Sequence, residues 1–446
     1  MARSSHTGGA WVALCALAPL LSCGNPDVED TNSPVSWLAD REVPHGDTPP
    51  GPVLWDPADL QRVKLRVAAD DPELQAAMAH LLEQADAAAG IELPSVTRNR
   101  AKPPSGDLRD YFSIGVYWHE RDDGEWEWRD GQLNPLSADP GYDDGALLDS
   151  FVEDFAALAL AYTLTGEPRY GQSAAAFARS WFLDPETAMS PHLRFGSSDG
   201  ANGGRAQGIV RTKVLIDALN YLSLLRGSEF WTDADQRGLE NWFRRYRQWL
   251  LHDPFGRHQF NAGNNHGIWY DAQLIAYSYH IGELDTARNF VRHMRARIES
   301  QIAPDGFQPR EIQRPRSYFY SCYTLEGFFV AAHYANALGM DLWTYRTDRG
   351  AGLKPALDLV AQHVYRETDW PHQEVDSFER SRGQAVSLLF QGARIYGSGD
   401  YVARLQDLER EFGTDRVARS RDQLIYPLDA SAGEGSVARA DDPTRP

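Results

Sequence analysis

The chain is poor in cysteine: Cys15, Cys23 and Cys322 are its only three in 446 residues, too few for a disulfide framework. Its N-terminal apolar run, Ala10 to Leu21, is too short to span a bilayer stably. No His-x-x-x-His or Cys-x-x-Cys pair fixes metal ligands on one face, so His252, His258, His266 and Asp271 make no convincing metal set. The glycines from Gly196 to Gly208 do not follow a convincing strand, which argues against a phosphate-cradling loop and a nucleotide cofactor. Positive charge is scarce as well. Forty-four basic side chains stand against 63 acidic ones, a formal charge of −19, which speaks against a nucleic-acid binder and against purely electrostatic membrane attachment. An acidic substrate would need a local basic pocket, and no cofactor or metal is expected.

What the chain does have is ordinary globular material. With 42% hydrophobic and 24% charged residues it can bury a sizeable core. Arg3 followed by Ala10–Leu21 reads as a signal peptide over residues 1–22. The sequence Leu20-Leu21-Ser22-Cys23-Gly24 resembles a bacterial lipoprotein box, which implies lipidation of Cys23; the alternative is an ordinary signal peptide with an incidental cysteine. Either way an exported protein is expected, periplasmic or held on the outer membrane by its lipid, and touching a membrane only there. Residues 23–55, including Pro49-Pro50-Gly51-Pro52, read as a flexible tether, and the small, polar residues 429–446 as a disordered tail.

Residues 56–428 form one expected domain. Helical periodicity covers Pro72–Ala89, Asp144–Thr165, Pro168–Trp181, Gly208–Leu225, Asp233–Leu251, Asn265–Ile281, Leu284–Ile302, Ser321–Leu338, Leu353–Arg366 and Gly383–Tyr396. Thr165-Gly166-Glu167-Pro168 closes one helix and opens the next, and Thr232 precedes another as N-cap. Strand signals are sparse. Helix pairs recurring without a strict repeat predict an all-α fold, an (α/α) toroid or incomplete barrel of helical hairpins with one groove.

Two segments carry the chemistry. In Asn264-Asn265-His266-Gly267, two amides and an imidazole sit at the mouth of a helix, and His266, Tyr270 and Gln273 share one face of it. Glu311 to Tyr323 holds Arg314 and Arg316 just after Arg310: three planar forks, each suited to a carboxylate, ahead of Tyr320 at the start of the next helix. Arg205, with Arg211 and Lys213, would extend a basic groove, as would Arg310 and Arg316. Tyr117, Trp118 and Trp370 are candidates for stacking on sugars.

Asn264-Asn265-His266-Gly267 together with Glu311, Arg314, Tyr320 and Tyr323-Thr324-Leu325 resembles the alginate lyase family of helical polysaccharide lyases, including relatives acting on glucuronan. Looser similarity runs from Ser113-Ile114-Gly115-Val116-Tyr117-Trp118 through Trp181–Pro185 and Gly203-Gly204-Arg205 to Trp370-Pro371-His372-Gln373. The resemblance implies that Asn265, His266 and Arg314 surround a uronate carboxylate and that Tyr320 handles the proton. The Arg314-to-Tyr320 spacing is one residue shorter than the family's usual pattern, and His119-Glu120-Arg121-Asp122 replaces its tryptophan-rich segment.

The residue types suit that chemistry. Cleaving a 4-linked uronate by β-elimination removes a C5 proton that is acidic only when the carboxylate is neutralised, which Asn265, a protonated or hydrogen-bonding His266, and Arg314 can do. A phenol beside arginine can serve as base and then as acid. In mannuronate and glucuronate H5 and O4 lie on the same side, which suits one tyrosine. The expected partner is thus an anionic uronate polysaccharide, polymannuronate (alginate) or glucuronan. Two rivals stand beside this: a toroidal glycoside hydrolase with paired carboxylates, for which Asp143-Asp144, Glu153-Asp154, Asp271 and Glu326 are available, and a non-catalytic glycan-binding lipoprotein. Cys322 reads as a small buried hydrophobe rather than a nucleophile.

Overall fold

The computed structural model describes residues 51–200, 203–365, 369–375, 378–412 and 417–428. The leader 1–22, Cys23, the tether up to residue 50 and the tail 429–446 lie outside them. Helices α1 (Pro57–Ala68), α2 (Gln75–Ala89), α3 (Asp144–Thr165), α4 (Pro168–Phe182), α5 (Leu215–Ser223), α6 (Asp233–His252) and α7 (Pro254–Phe260) form the first half. The second half holds α8 (Asn265–His280), α9 (Leu284–Gln301), α10 (Ser317–Ala337), α11 (Leu353–His363), α12 (Phe378–Tyr396), α13 (Gly399–Phe412) and α14 (Asp422–Ile425). Strands are confined to two small pairs among the described residues: β1 (Phe112–Ile114) runs parallel to β4 (Phe195–Ser198), and β2 (Trp118–Glu120) pairs antiparallel with β3 (Trp126–Trp128).

The sequence sorts the helices into two layers. Helices α3, α8 and α10 are apolar nearly all round, and most of their residues are buried. Helices α4, α6 and α9 carry one apolar face only, as an outer layer must. Neighbours in sequence pair as hairpins, α3 with α4 and α8 with α9, while α8 also packs on α10 and α10 on α12. The expected hairpin signals are in place: Gly166 takes the left-handed conformation (φ 74°) that closes α3, and Thr232 and Asp235 make a reciprocal capping box on α6.

Among the boundaries that differ from the sequence expectation, three have a visible cause. The domain begins before residue 56, because Leu54 and Trp55 are buried and the amides of Val53 and Leu54 donate to Asn220 Oδ1 at 2.7 and 3.1 Å. The stretch after Gly208 is a 3₁₀ run, Ala206–Val214, before it becomes α5; a Cβ on Gly208 would fall 2.7 Å from the Gly196 backbone, and Thr212 Oγ1 donates back to the carbonyl of Ile209. Helix α10 begins at Ser317 rather than Ser321, because a distant carboxylate caps it. Glu374 Oε2 accepts from the amides of Tyr318 and Phe319, both at 3.0 Å. Helices α1, α7, α13 and α14 also form where no apolar period was expected. No helix among the described residues is long and apolar enough to cross a membrane.

Candidate active site

A cavity of about 800 Å³ opens where the N-terminus of α8, the loop before α10 and the β2–β3 hairpin meet. Asn264, Asn265, His266, Arg314, Tyr320, Arg316, Arg205, Tyr117 and Trp118 all line it. Residues far apart in the chain are thereby brought together as the two motifs required.

Asn264 caps α8, its Oδ1 accepting from the amide of His266 at 3.2 Å, which fixes the direction in which Asn265 and His266 leave the helix. Glu311 holds Asn265 twice: its Oε1 accepts from the backbone amide at 2.8 Å and its Oε2 from Nδ2 at 2.9 Å. An acceptor on both sides orients the amide with its nitrogen toward Glu311 and leaves it one further N–H to give. Burial raises the Glu311 carboxyl above its ordinary value, and the two bonds from Asn265 oppose that rise. His266 has its Nδ1 buried without a hydrogen-bond partner in the protein. Burial first, then the positive charge of Arg314, lowers its pKa to about 4. Of the two states considered from sequence, the neutral imidazole is therefore the resting one, and the positive charge at the site comes from arginine.

Arg314 is shared. Its Nη2 donates to Asp130 Oδ1 at 2.7 Å and to the Tyr320 hydroxyl at 3.2 Å, and its Cζ lies 4.1 Å from the centre of the Tyr320 ring. Tyr320, the fourth residue of α10, also meets the Tyr117 hydroxyl at 2.8 Å, and Arg316 Nη1 donates to that same Tyr117 oxygen at 3.3 Å. Burial first, then the neighbouring Tyr117, pushes the Tyr320 hydroxyl well above the ordinary phenol value, and Arg314 and Arg316 pull against it. The expectation that a neighbouring arginine alone favours the phenolate is thus corrected: in the unliganded site desolvation outweighs it.

The hairpin supplies the opposite wall. Trp118 and Trp128 pair across β2 and β3 with ring centroids 5.9 Å apart, Trp128 is nearly half exposed, and Arg205 Cζ sits 5.0 Å above the Trp118 ring. Deeper in the cavity Lys213 Nζ lies 4.5 Å over the Trp269 ring and 3.7 Å from Glu326.

Four sequence candidates lie elsewhere. Tyr270 and Gln273 share the face of His266, but that face turns into the core within one helical turn: the Tyr270 hydroxyl donates to the Leu250 carbonyl at 2.9 Å, and Gln273 is tied to Thr212, Ile209 and Trp269. Trp370 is buried, its Nε1 donating to Ser317 Oγ at 2.7 Å, so it braces the start of α10 and offers no sugar platform. Arg310 is exposed outside the cavity lining, packed by Gly263. Cys322 is fully buried, and burial raises its thiol, as a packing residue requires.

Sequence reasoning missed Asp130 and Trp128, whose neighbourhood carries no motif. It had Glu311 in view without seeing that it orients Asn265. Most of the carboxylates offered for hydrolysis are engaged in other contacts. Asp143 and Asp144 accept from the amides of Ile114 and Phe112 at 2.8 and 2.7 Å, joining α3 to β1, and burial raises them to about 6 and about 7. Asp271 is held by Arg297, Glu153 by Arg421, and Tyr320 stands in the same cavity as the arginines. Among the described residues no cluster of three or more His, Cys, Asp or Glu is arranged to hold a metal.

Known proteins agree with this architecture. No curated protein sequence matches the chain. Among solved structures, an alginate lyase from Bacteroides ovatus is 29% identical and superposes with a TM-score of 0.78, covering 85% of this chain and 99% of that one. Alginate lyase A1-III from Sphingomonas species A1 shares the fold at 18% identity, covering 84% of this chain and 99% of that one with a TM-score of 0.51. A histidine-to-alanine variant of A1-III complexed with tetrasaccharide is 17% identical, with a TM-score of 0.54 over 85% of this chain and 96% of that one. The fold is accordingly an (α/α) toroid, and the pattern that defines the alginate lyases matches residues 95–370, more than half of the chain. With that match spanning both cavity motifs, the chain belongs to the alginate lyase family and is a polysaccharide lyase.

Proposed function

We propose that this lyase cleaves a 4-linked uronate polymer, polymannuronate (alginate) or glucuronan, by syn β-elimination. The observation that carries the reading is the convergence of Asn265, His266, Arg314 and Tyr320 on one cavity from two segments of chain. The substrate carboxylate lies against the free N–H of Asn265, the imidazole of His266 and the guanidinium of Arg314, which together stabilise the charge that builds on it as C5 loses its proton. Tyr320, as phenolate, takes H5; the C5–H electron pair passes to the C5–C6 enolate and then forms the C4–C5 double bond as the C4–O4 bond breaks. The new Tyr320 hydroxyl returns its proton to O4, leaving the enzyme as it began. One phenol serves both steps because H5 and O4 share a side in mannuronate and glucuronate. Trp118, Trp128 and Arg205 form the wall on which neighbouring sugars rest. The protein acts outside the cytoplasm, anchored through a lipid on Cys23; Cys23→Ser would release it from membranes in fractionation.

The test is the ultraviolet absorbance of the conjugated unsaturated uronate, with residues 24–446 incubated separately with polymannuronate, polyguluronate, glucuronan and hyaluronan. Absorbance rises on polymannuronate or glucuronan and falls about 10²–10⁴-fold in Tyr320→Phe, the contribution of one general acid–base group. Reducing ends without absorbance would replace the elimination with hydrolysis.

A further inference from the structure

The cavity continues past the reaction centre. One of its walls is the 3₁₀ stretch Ala206–Val214, where three residues per turn put every third side chain in line, and Gln207, Val210 and Lys213 of that row all line the cavity. Asp217, one turn after Lys213 and at the start of α5, lines it as well. This wall meets α10 at Tyr323, one turn beyond Tyr320. The two tyrosine rings are 6.3 Å apart, and Lys213 Nζ lies 5.2 Å from the Tyr323 centroid and 4.5 Å from that of Trp269. Of the cations expected to extend the groove here, Arg211 is taken: its Nη2 donates to Asp149 at 3.1 Å and lies 3.9 Å from Asp143. Lys213 is different. Among the described residues its ammonium makes no hydrogen bond, since Glu326 stands 3.7 Å away, and Glu326 Oε2 is itself buried without a hydrogen-bond partner. Asp217 has neither a hydrogen bond nor an ion pair among those residues; burial raises its carboxyl to about 7, with Lys213 opposing the rise. Polar groups shielded from water and left without partners cost free energy, and three of them stand together on this wall beside two aromatic rings.

We propose that Lys213 and Asp217 form a second uronate subsite beside the reacting sugar, Lys213 meeting that sugar's carboxylate and Asp217 accepting from hydroxyls on the opposite edge of its ring. This rests on the lyase acting on a uronate polymer and adds to it the recognition of a neighbouring residue of the chain. The two side chains leave the wall one turn apart, about 6 Å along it. In a pyranose uronate C5, which bears the carboxylate, lies across the ring from C2, so the charged edge and the hydroxyl edge of one sugar are presented to two points of the wall. An ammonium has three donors and no acceptor, and an ionised carboxylate only accepts, so neither can take the other's role. Glu326 and Glu153 add negative charge around Asp217. They repel a carboxylate from that point and leave it to hydroxyls, which fixes the orientation of the ring.

The experiment measures the binding of mannuronate and glucuronate tetramers, and of the same tetramers with their carboxyls reduced to alcohols, by calorimetry in the Tyr320→Phe protein, where turnover does not consume them. Lys213→Met keeps the side-chain stem beside Trp269 and Tyr323. It weakens the charged tetramer that the protein binds about tenfold or more, the value of a hydrogen bond between charged groups, and leaves the reduced one within about twofold. Asp217→Asn weakens charged and reduced tetramers alike, by about three- to tenfold, because both present hydroxyls and one acceptor oxygen remains. With Tyr320 restored, KM for the polymer rises by the same factors while kcat stays within about twofold, as for an interaction made equally in the ground and transition states. Unchanged affinity in both variants would overturn the proposal, and so would an equal loss of charged and reduced tetramers in Lys213→Met, which would make that lysine a packing residue. A glucosamine tetramer bound more tightly than either uronate, and lost in Asp217→Asn, would overturn it in favour of an amino sugar. The two readings fail separately: a wild-type protein that forms no unsaturated product but binds uronate tetramers through Lys213 and Asp217 loses the elimination and keeps the subsite, whereas product formation with both variants binding normally does the reverse.

Discussion

Two arginine–aspartate pairs, one under the floor of the site and one inside it, show how the same residues are put to different use. Arg297 grips Asp271 through Nε at 2.6 Å and Nη2 at 3.1 Å, and spends its other donors on the carbonyls of Ala262 and Phe260 at 2.8 and 2.9 Å. Asp271 accepts in addition from His293 Nδ1 at 2.7 Å. The pair is dry, with side-chain exposures of 6% and 0%, and supports the turn that leads into α8. Arg314 and Asp130 are 22% and 31% exposed, and Arg314 is divided between the carboxylate and a hydroxyl that faces the cavity. A guanidinium with nearly all its donors taken inside the protein holds backbone in place; one with donors turned toward open space can meet an anion.

The contrast can be broken by experiment. Asp271→Asn, which strands a buried cation, costs about 3–5 kcal/mol of unfolding free energy in urea denaturation; a variant of normal stability would mean that the floor does not depend on this pair. Arg314→Gln leaves the unfolding midpoint nearly in place and lowers kcat by about 10²–10³-fold, the value of one donor to developing negative charge. A cooperative loss of stability there would make Arg314 another scaffold residue. Asp130→Asn is milder, lowering kcat about tenfold by loosening the aim of Arg314, with less than about 1 kcal/mol lost from so exposed a pair.

The smallest effect is a titration. In nuclear magnetic resonance the His266 imidazole changes state near pH 4 instead of near its ordinary 6.5, and Arg314→Gln raises that midpoint because a neighbouring positive charge has gone. The sign for stability follows: a folded imidazole that resists protonation contributes above about pH 6.5, and the contribution is lost as pH falls toward 4 while the unfolded chain takes up the proton. A midpoint at 6.5 would restore a charged histidine to the site and put the division of labour between His266 and Arg314 in question.

Helix content was legible because apolar spacing is a local property: α3 begins and ends at Asp144 and Thr165 as its pattern requires, and Asn264 caps α8 where two amides precede the apolar run. Asn265, His266, Arg314 and Tyr320 could be singled out because each lies in a short motif of unusual composition. Tyr270 and Gln273 misled for a related reason. Spacing puts them on the face of His266, but whether a helical face meets solvent or core depends on what packs against it, and beyond the first turn of α8 that face meets the core.

The alternation of all-round apolar and one-faced helices, and with it the toroid, is written into the order of side chains, because burial follows that pattern turn by turn. Which partners complete the site is settled by packing. Asp130 reaches Arg314 across 184 residues of chain and Tyr117 reaches Tyr320 across 203. Contacts at such separation leave no local period in the sequence; they exist because packed helices bring the hairpin and the start of α10 to opposite walls of one cavity, where hydrogen-bond direction is fixed by neighbours far away in the chain.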